Sequence, residues 1–254
     1  MVGKDVRDRT APGDASMGGQ RGFTLVEIAI VLVIIGLLLG GILKGQELIN
    51  SARVRNMADM NAGIQAAYYG FIDRFRRVPG DWSSTPAGAA IGVTINGGGN
   101  DNGRIDNDTT APGITTVYQE PNALWEQLSK AGFIQGAYTG DSGEPNTNNN
   151  RTPLNAFNNV VLLGRTDDYL DRNTPAVRLN LVLGRGVPVD IARELDVKLD
   201  DGVPDTGVLR VTVDTGATFG FISESPTNCF TDPGTGRIYD ITADAQDCNT
   251  AFLY

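Results

Sequence analysis

The hydrophobic residues of this chain of 254 residues form three successive patterns, and the first is an apolar run over residues 23–43. Glu27 is the only charged residue in that run. A helix needs about 20 consecutive apolar residues to span the hydrocarbon core of a bilayer. The run therefore predicts a membrane-spanning helix that carries a single acid near its start.

In the second pattern, apolar residues recur at spacings of three and four, which is typical of a helix with one apolar face. They are Met57, Met60, Ile64, Ala67, Tyr68, Phe71 and Phe75. Pro79 cannot continue a helix, and Val78 before it is pushed toward an extended conformation. We therefore expect one continuous helix over residues 23–77, roughly 80 Å long at about 1.5 Å per residue.

In the third pattern, from Gly80 onward, short apolar segments alternate with Gly, Asn, Asp, Thr and Pro, which predicts strands joined by loops. The predicted strands are 160–163, 177–183 and 208–213, with weaker candidates at 91–95, 219–222 and 237–242. Helices are predicted at 121–131 and 188–199, and an exposed loop at 136–151. Together, the three patterns predict an α+β fold in which the amphipathic part of the long helix packs on an antiparallel sheet.

The lone acid in the apolar run has a physical consequence. A carboxylate at the centre of a membrane costs on the order of 2.5 kcal/mol or more, so Glu27 is expected to have a partner that offsets its charge. A small residue, Gly22, lies immediately before the run, whereas a secretory signal has its cleavage site after the apolar segment. Cleavage at Gly22 would keep the helix and create an α-amino group at Phe23. In an assembly, that amine could meet Glu27 of a neighbouring subunit.

The residues GFTLVEIAIVLVIIGLLLGGIL resemble the N-terminus of type IV prepilins and of the related pseudopilins of type II secretion. The resemblance implies that a prepilin peptidase cleaves between Gly22 and Phe23 and methylates the amine of Phe23. It also implies that Glu27 guides subunit docking. Weaker similarity to large prepilin-like proteins extends to the segments FIDRFRRVPGD, ALWEQLSKAGFIQG and LDDGVPDTG.

The resemblance implies a pilin-like organisation of the chain in four parts. Residues 1–22 are expected to be a cleaved leader, 23–43 the membrane and filament-core half of the helix, 44–78 its amphipathic half, and 79–254 a β-rich head. A leader that covers residues 1–22 is unusually long for one followed by phenylalanine. Translation from Met17 would leave only residues 17–22 as the leader, which is closer to the usual length. Both starts stay open.

The function that the resemblance implies is that of a structural subunit of a type IV pilus or pilus-like filament. The alternatives are a pseudopilin of a type II secretion system and a low-copy minor pilin that acts in adhesion or DNA uptake. The implied partners are other pilin subunits, the prepilin peptidase, an inner-membrane assembly platform and membrane lipid before assembly. The expected location is the inner membrane, with a cytoplasmic N-terminus and a periplasmic head, and then a pilus or periplasmic pseudopilus.

The composition excludes several other classes of protein. The chain has no histidine, so it holds neither a Ser-His-Asp nor a Cys-His catalytic site, and we expect no enzyme and no cofactor. Its net charge is −9, which disfavours binding to nucleic acid, whose backbone needs Lys and Arg. The basic residues Arg74, Arg76 and Arg77 are accordingly expected to pair with acids, and Trp82 and Trp125 to lie in the core.

Two further groups of residues are candidates for structural chemistry. Cys229 and Cys248 form an even pair, which favours a disulfide in an exported chain, as the pilin resemblance also implies; two unpaired thiols remain the alternative. The loop 96–108 matches part of an EF-hand pattern but lacks its first ligand and the closing Glu. The low-ranked calcium candidates are Asn100, Asn102 and Asp106 in this loop, where a plain loop is favoured. Asp200 and Asp201, in a second acidic cluster, are also low-ranked candidates, and a helix-ending turn is the other interpretation of that cluster.

Overall fold

The computed structural model describes residues 22–213, 228–234 and 236–254. In this part of the chain the elements are the helices α1 (Leu25–Phe75), α2 (Ser84–Ile91), α3 (Gln119–Lys130) and α4 (Val189–Leu199), and the strands β1 (Leu162–Thr166), β2 (Arg178–Val182), β3 (Leu209–Val211), β4 (Phe230–Thr231), β5 (Ile238–Tyr239) and β6 (Thr250–Leu253). The chain divides into two compact units, Met1–Glu47 and Leu48–Tyr254.

The described part of the first unit is the N-terminal portion of α1. Its helix is long and apolar enough to cross a membrane. Nearly all its large apolar side chains are exposed, from Leu25 at 92% to Ile35 at 45%. Such a continuous apolar surface is stable only against lipid or against other apolar helices.

The second unit contains an antiparallel sheet of four strands in the order β1-β2-β6-β3. Strand β6, close to the end of the described chain, therefore lies in the middle of the sheet. Its Phe252 is opposite Leu181 of β2 on one side and Leu209 of β3 on the other. Strands β4 and β5 pair separately as a two-stranded antiparallel sheet. The α+β fold expected from the sequence is confirmed.

The apolar face of α1 contributes to the main core of this unit, as its spacing predicts. Its buried residues are Val54, Met57, Ile64, Ala67, Tyr68 and Phe71. The ring of Phe71 lies 6.2 Å from that of Trp82 and 5.8 Å from that of Phe133. Trp82 and Trp125 are both buried in this core, as predicted. The chain end is attached to the same helix, because the hydroxyl of Tyr254 donates a hydrogen bond to Asn61 at 2.7 Å.

Helix α3 is buried on its polar side as well as on its apolar side, and the polar side chains bind the surrounding loops. The carboxylate of Glu126 accepts the backbone N–H groups of Asn96 and Gly97. Glu120 accepts those of Asn100 at 3.1 Å and Asp106. A buried carboxylate is tolerated when backbone donors satisfy it. Loop 96–106 is therefore fixed by side chains of α3 and not by pairing in a sheet.

Most predicted elements are found near their expected positions. Helices α3 and α4 lie within two residues of the predicted bounds, and β1, β2 and β3 overlap the three stronger strand predictions. The weaker prediction at 237–242 contains β5, and residues 136–151 form a loop. Helix α1 ends at Phe75, two residues before the predicted end, and Arg76 has a φ of 56°. The prediction at 219–222 lies outside the described residues.

The strand predicted at 91–95 is wrong. Residues 84–91 form helix α2, which ends at Gly92 with a φ of 87°, and its N–H closes the helix by donating to Gly88. The left-handed conformation after a helix is one that glycine adopts without strain. Residues 93–96 then continue as a loop that the carboxylate of Glu126 holds. The short elements α2, β4 and β6 were not predicted.

Candidate functional site

The first turn of α1 contains a reciprocal pair of hydrogen bonds between Thr24 and Glu27. The backbone N–H and the hydroxyl of Thr24 each donate to Oε2 of Glu27 at 2.8 Å. In return, the N–H of Glu27 donates to the hydroxyl oxygen of Thr24 at 3.3 Å. This is a capping box, in which the residue before the helix and the third helical residue satisfy each other's free backbone donors.

The capping box determines how the acid is presented. A carboxylate in the first turn of a helix is stabilised by the partial positive charge of the helix N-terminus. Within the described residues, both hydrogen bonds that Glu27 accepts go to Oε2. Its Oε1 keeps its capacity to accept a further donor. The geometry thus offers a carboxylate that is held by its own helix but still has one oxygen available.

An exposed groove of about 380 Å³ lies beside this carboxylate. It is lined by the side chains of Phe23, Glu27, Ile28, Ile30 and Val31. The other four residues are apolar, so Glu27 is the one charged group of this lining. Its Coulomb attraction for a cation strengthens once a partner excludes water from the groove.

The two residues of the expected cleavage site precede the helix. Gly22 and Phe23 are exposed, and Phe23 shows 83% of its surface. A Cβ placed on Gly22 would have no atom within 4 Å. The fold of the described chain therefore does not require glycine at this position. A small residue here would instead serve a partner that approaches the backbone closely.

The predicted disulfide between Cys229 and Cys248 is present. Their Cα atoms are 5.7 Å apart, and both residues are fully buried. The N–H of Cys248 also donates to the carbonyl of Val187 at 2.7 Å. The bond therefore attaches the segment that enters β4 to the segment that enters the central strand β6.

The low-ranked calcium candidates occupy two separate parts of the chain. Asn100, Asn102 and Asp106 lie in the loop before α3, where their side chains bond within the loop. Asn100 donates to the carbonyl of Pro112 at 2.9 Å, and Asn102 donates to Asp106. The expectation of a plain loop in place of a calcium site stays a prediction.

Asp200 and Asp201, at the end of α4, lie together with Asp196, which was not among the predicted site residues. Their nearest carboxylate oxygens are within 4.8 Å of one another. Asp196 is fully buried and accepts the hydroxyl of Tyr239 at 2.7 Å, and burial raises the pKa of this carboxyl to about 6. Asp200 accepts the N–H of Leu209 at 2.9 Å. These bonds attach the end of α4 to β3 and β5, as a helix-ending turn requires.

The basic cluster at the end of α1 is exposed. Arg76 forms an ion pair with Asp73 at 3.3 Å, and the guanidinium of Arg74 lies 5.0 Å from the centre of the Phe75 ring. Pairing with an acid is thus present within the chain for Arg76. Pairing with the acids of neighbouring subunits stays a prediction.

Comparisons with known proteins agree with the N-terminal geometry. Residues 17–43 match the model of the prokaryotic N-terminal methylation motif. No curated protein and no solved structure matches the chain significantly. The match includes Gly22, Phe23, Thr24 and Glu27, and it ends where the apolar run ends. The chain therefore carries, at its N-terminal helix, the signature of type IV prepilins and pseudopilins.

Proposed function

We propose that this protein is a structural subunit of a type IV pilus or pilus-like filament, cleaved between Gly22 and Phe23 and assembled through α1. The observation that carries the proposal is the methylation motif at residues 17–43, together with a lone carboxylate at the start of an exposed apolar helix. The chain has no histidine, which agrees with a structural role.

The docking step follows from the chemistry of the first turn. Cleavage creates a positively charged amine at Phe23, and Glu27 presents a carboxylate with one oxygen available. Two opposite charges that meet in an apolar surrounding offset each other's desolvation only if their geometry is good. The capping box of Thr24 supplies that geometry by holding Oε2. The amine of one subunit then pairs with Glu27 of the next.

Before assembly, the apolar half of α1 resides in the inner membrane. Its exposed side chains exchange lipid for the helices of sister subunits when the filament forms. In this proposal residues 1–22 are the leader and stay in the cytoplasm until they are removed, while the head formed by 79–254 lies on the other side of the membrane. The prepilin peptidase and an assembly platform in the membrane are the partners of this stage.

The direct test is mass spectrometry of the protein from sheared filaments and from the membrane. We expect a mature chain that begins at a methylated Phe23. Glu27→Gln should be processed normally but should stay in the membrane fraction. Glu47→Gln is the matched control, since Glu47 is also an acid of α1 but pairs with Lys44 at 2.7 Å. A native chain with another amino terminus contradicts the proposal.

The same fractions separate the related roles. A main subunit is abundant in sheared filaments, a minor subunit is present at a few copies per filament, and a secretion pseudopilin is absent from surface filaments.

A further inference from the structure

We propose that three buried carboxylates protect this protein from spontaneous chemical modification at its Asx-Gly junctions, where Asx is Asn or Asp. The sequence has three such junctions, Asn96-Gly97, Asn102-Gly103 and Asp201-Gly202. All of them lie in the second unit, outside its helices and strands. The inference therefore does not depend on filament assembly.

An Asx-Gly junction is chemically reactive because glycine has no side chain to hinder attack by its backbone nitrogen. That nitrogen loses its proton and bonds to the side-chain carbonyl carbon of the preceding residue. At an Asn-Gly junction the bond to the side-chain nitrogen then breaks, and ammonia leaves with the proton. Water opens the resulting succinimide to aspartate or isoaspartate. At an Asp-Gly junction water leaves and returns, and isoaspartate is formed.

The fold needs glycine at each of these junctions and therefore cannot avoid the reactive sequence. Gly103 and Gly202 have φ angles of 89° and 77°. Glycine adopts this left-handed conformation without strain. A Cβ on Gly97 would collide with the backbone carbonyl of Gly140. Protection has to come from the surroundings of the junctions.

At each junction the N–H of the glycine donates a hydrogen bond to the carboxylate of a buried acid. The bonds are Gly97 to Glu126 at 2.7 Å, Gly103 to Asp81 at 2.8 Å and Gly202 to Asp196 at 3.0 Å. Of the three acids, only Asp81 has any exposed surface, at 3%. Loss of the glycine proton would place a negative nitrogen beside a negative carboxylate, and a nearby like charge disfavours ionisation. The hydrogen bond thus opposes the first step of the reaction.

This kind of bond coincides with the reactive junctions. Among the hydrogen bonds between described residues, no other glycine N–H donates to a buried carboxylate. The remaining bonds from a glycine N–H to a carboxylate are those of Gly143, Gly186 and Gly234, whose partner acids are exposed or partly exposed. None of these three glycines follows Asn or Asp.

The side chains that would be attacked are held as well. Nδ2 of Asn96 donates to Glu126 at 3.1 Å, so one carboxylate binds both reacting groups of this junction. Oδ1 of Asn102 accepts the N–H of Arg104 at 3.1 Å. Attack on the side-chain carbonyl carbon requires that these side chains leave their partners and turn toward the glycine nitrogen.

The experiment incubates the full mature chain in detergent at mildly alkaline pH and follows each junction by peptide mass spectrometry with separation of isoaspartate. Glu126→Gln keeps the shape of the side chain but removes its charge. It should accelerate deamidation of Asn96 fivefold or more and leave Asn102 within twofold of the wild type. Asp81→Asn should have the reverse effect, because Asp81 binds Gly103.

Glu120→Gln is the matched control, since Glu120 binds the same loop through the N–H groups of Asn100 and Asp106 and not through a junction glycine. It should leave both deamidation rates within twofold of the wild type. The wild type in urea gives the rates of the unfolded chain, and the folded wild type should be at least tenfold slower at Asn96 and Asn102.

Three results would overturn the proposal. The first is a folded wild type that deamidates as fast as the unfolded chain, which needs no variant to be measured. The second is an unchanged rate in Glu126→Gln and Asp81→Asn, or an equal acceleration of both junctions by either variant. The third is an acceleration by Glu120→Gln as large as theirs, because loop mobility and not the glycine hydrogen bond would then set the rate.

Discussion

Thr24 and Glu27 hold each other across the first turn of α1, with two donors of Thr24 at 2.8 Å from one carboxylate oxygen. The acid of the apolar run is therefore already bonded within its own subunit. This lowers the cost of keeping it at the edge of a membrane before any neighbour arrives. In the assembly proposed above, the neighbour's amine adds to this arrangement and does not have to satisfy the carboxylate alone.

Replacing Thr24 by valine tests the role of this capping box. Thr24→Val keeps the branched shape but removes the hydroxyl, and the loss of an N-cap side chain costs about 1 kcal/mol. We expect normal cleavage and a several-fold lower yield of sheared filaments, measured by immunoblot against the membrane fraction. Thr24→Ser, which keeps the hydroxyl, should assemble nearly as well as the wild type. Equal yields for the valine and serine variants would contradict the role of Thr24.

Gly22 provides a second test, which concerns the peptidase. Since a Cβ at Gly22 meets no atom of the protein within 4 Å, Gly22→Val should not disturb folding. If the peptidase needs close approach to the backbone at this position, the variant should stay uncleaved and retain its leader mass. Gly45→Val is the control, because a Cβ at Gly45 also meets no atom within 4 Å. Processing of Gly22→Val to the mature mass would show that the small residue is not required.

The N-terminal motif could be recognised from the sequence because it is local. Gly22, Phe23 and Glu27 lie within six residues, and only the apolar run has to be recognised. The role of Thr24 was missed, although a threonine three residues before a glutamate is the sequence pattern of a capping box. Asp196 was missed because its partner Tyr239 is far away in the sequence.

Elements could be predicted where the spacing of their apolar residues reflects which side chains are buried. Burial of polar side chains under loops could not be predicted in this way. A surface helix normally exposes its polar face, yet Glu120, Asn122, Glu126 and Gln127 of α3 are all fully buried. Their burial depends on loops before and after the helix whose course no local pattern determines. Helix α2 is rich in small residues and shows no periodicity, and β6 has only four residues, so neither gave a clear signal.

The disulfide predicts a stability difference between oxidised and reduced protein. The bond joins residues separated by 19 positions, and closing a loop of this size stabilises the folded state by about 3 kcal/mol. Cys229→Ser combined with Cys248→Ser should therefore lower the free energy of unfolding by that amount. The measurement is urea unfolding of the mature chain in detergent, followed by the fluorescence of Trp82 and Trp125.

Reducing agent serves as the control for this prediction, because it should destabilise the wild type and leave the double serine variant unchanged. A variant as stable as the oxidised wild type would show that the bond contributes nothing to the second unit.

The buried carboxyl of Glu120 predicts a dependence of stability on pH. Burial raises its pKa from an ordinary value of 4.5 to about 7, so the folded state binds a proton more tightly than the unfolded state does. The stabilising contribution of this proton is complete below pH 4.5 and is lost as the pH rises toward 7. A shift of this size corresponds to roughly 3 kcal/mol. The raised pKa of Asp196, about 6, acts in the same direction.

Glu120→Gln removes the titrating group, so the free energy of unfolding should fall less steeply between pH 4.5 and 7 in this variant than in the wild type. Its stability at pH 5 should be lower, because a glutamine has one acceptor oxygen for the two backbone N–H groups of Asn100 and Asp106. Urea unfolding at half-unit steps of pH measures both effects. Glu144→Gln, at an exposed acid of the loop after α3, is the control and should keep the wild-type slope. An unchanged slope in Glu120→Gln would mean that this carboxyl titrates normally, and that loop 96–106 is held by a charged and not a protonated Glu120.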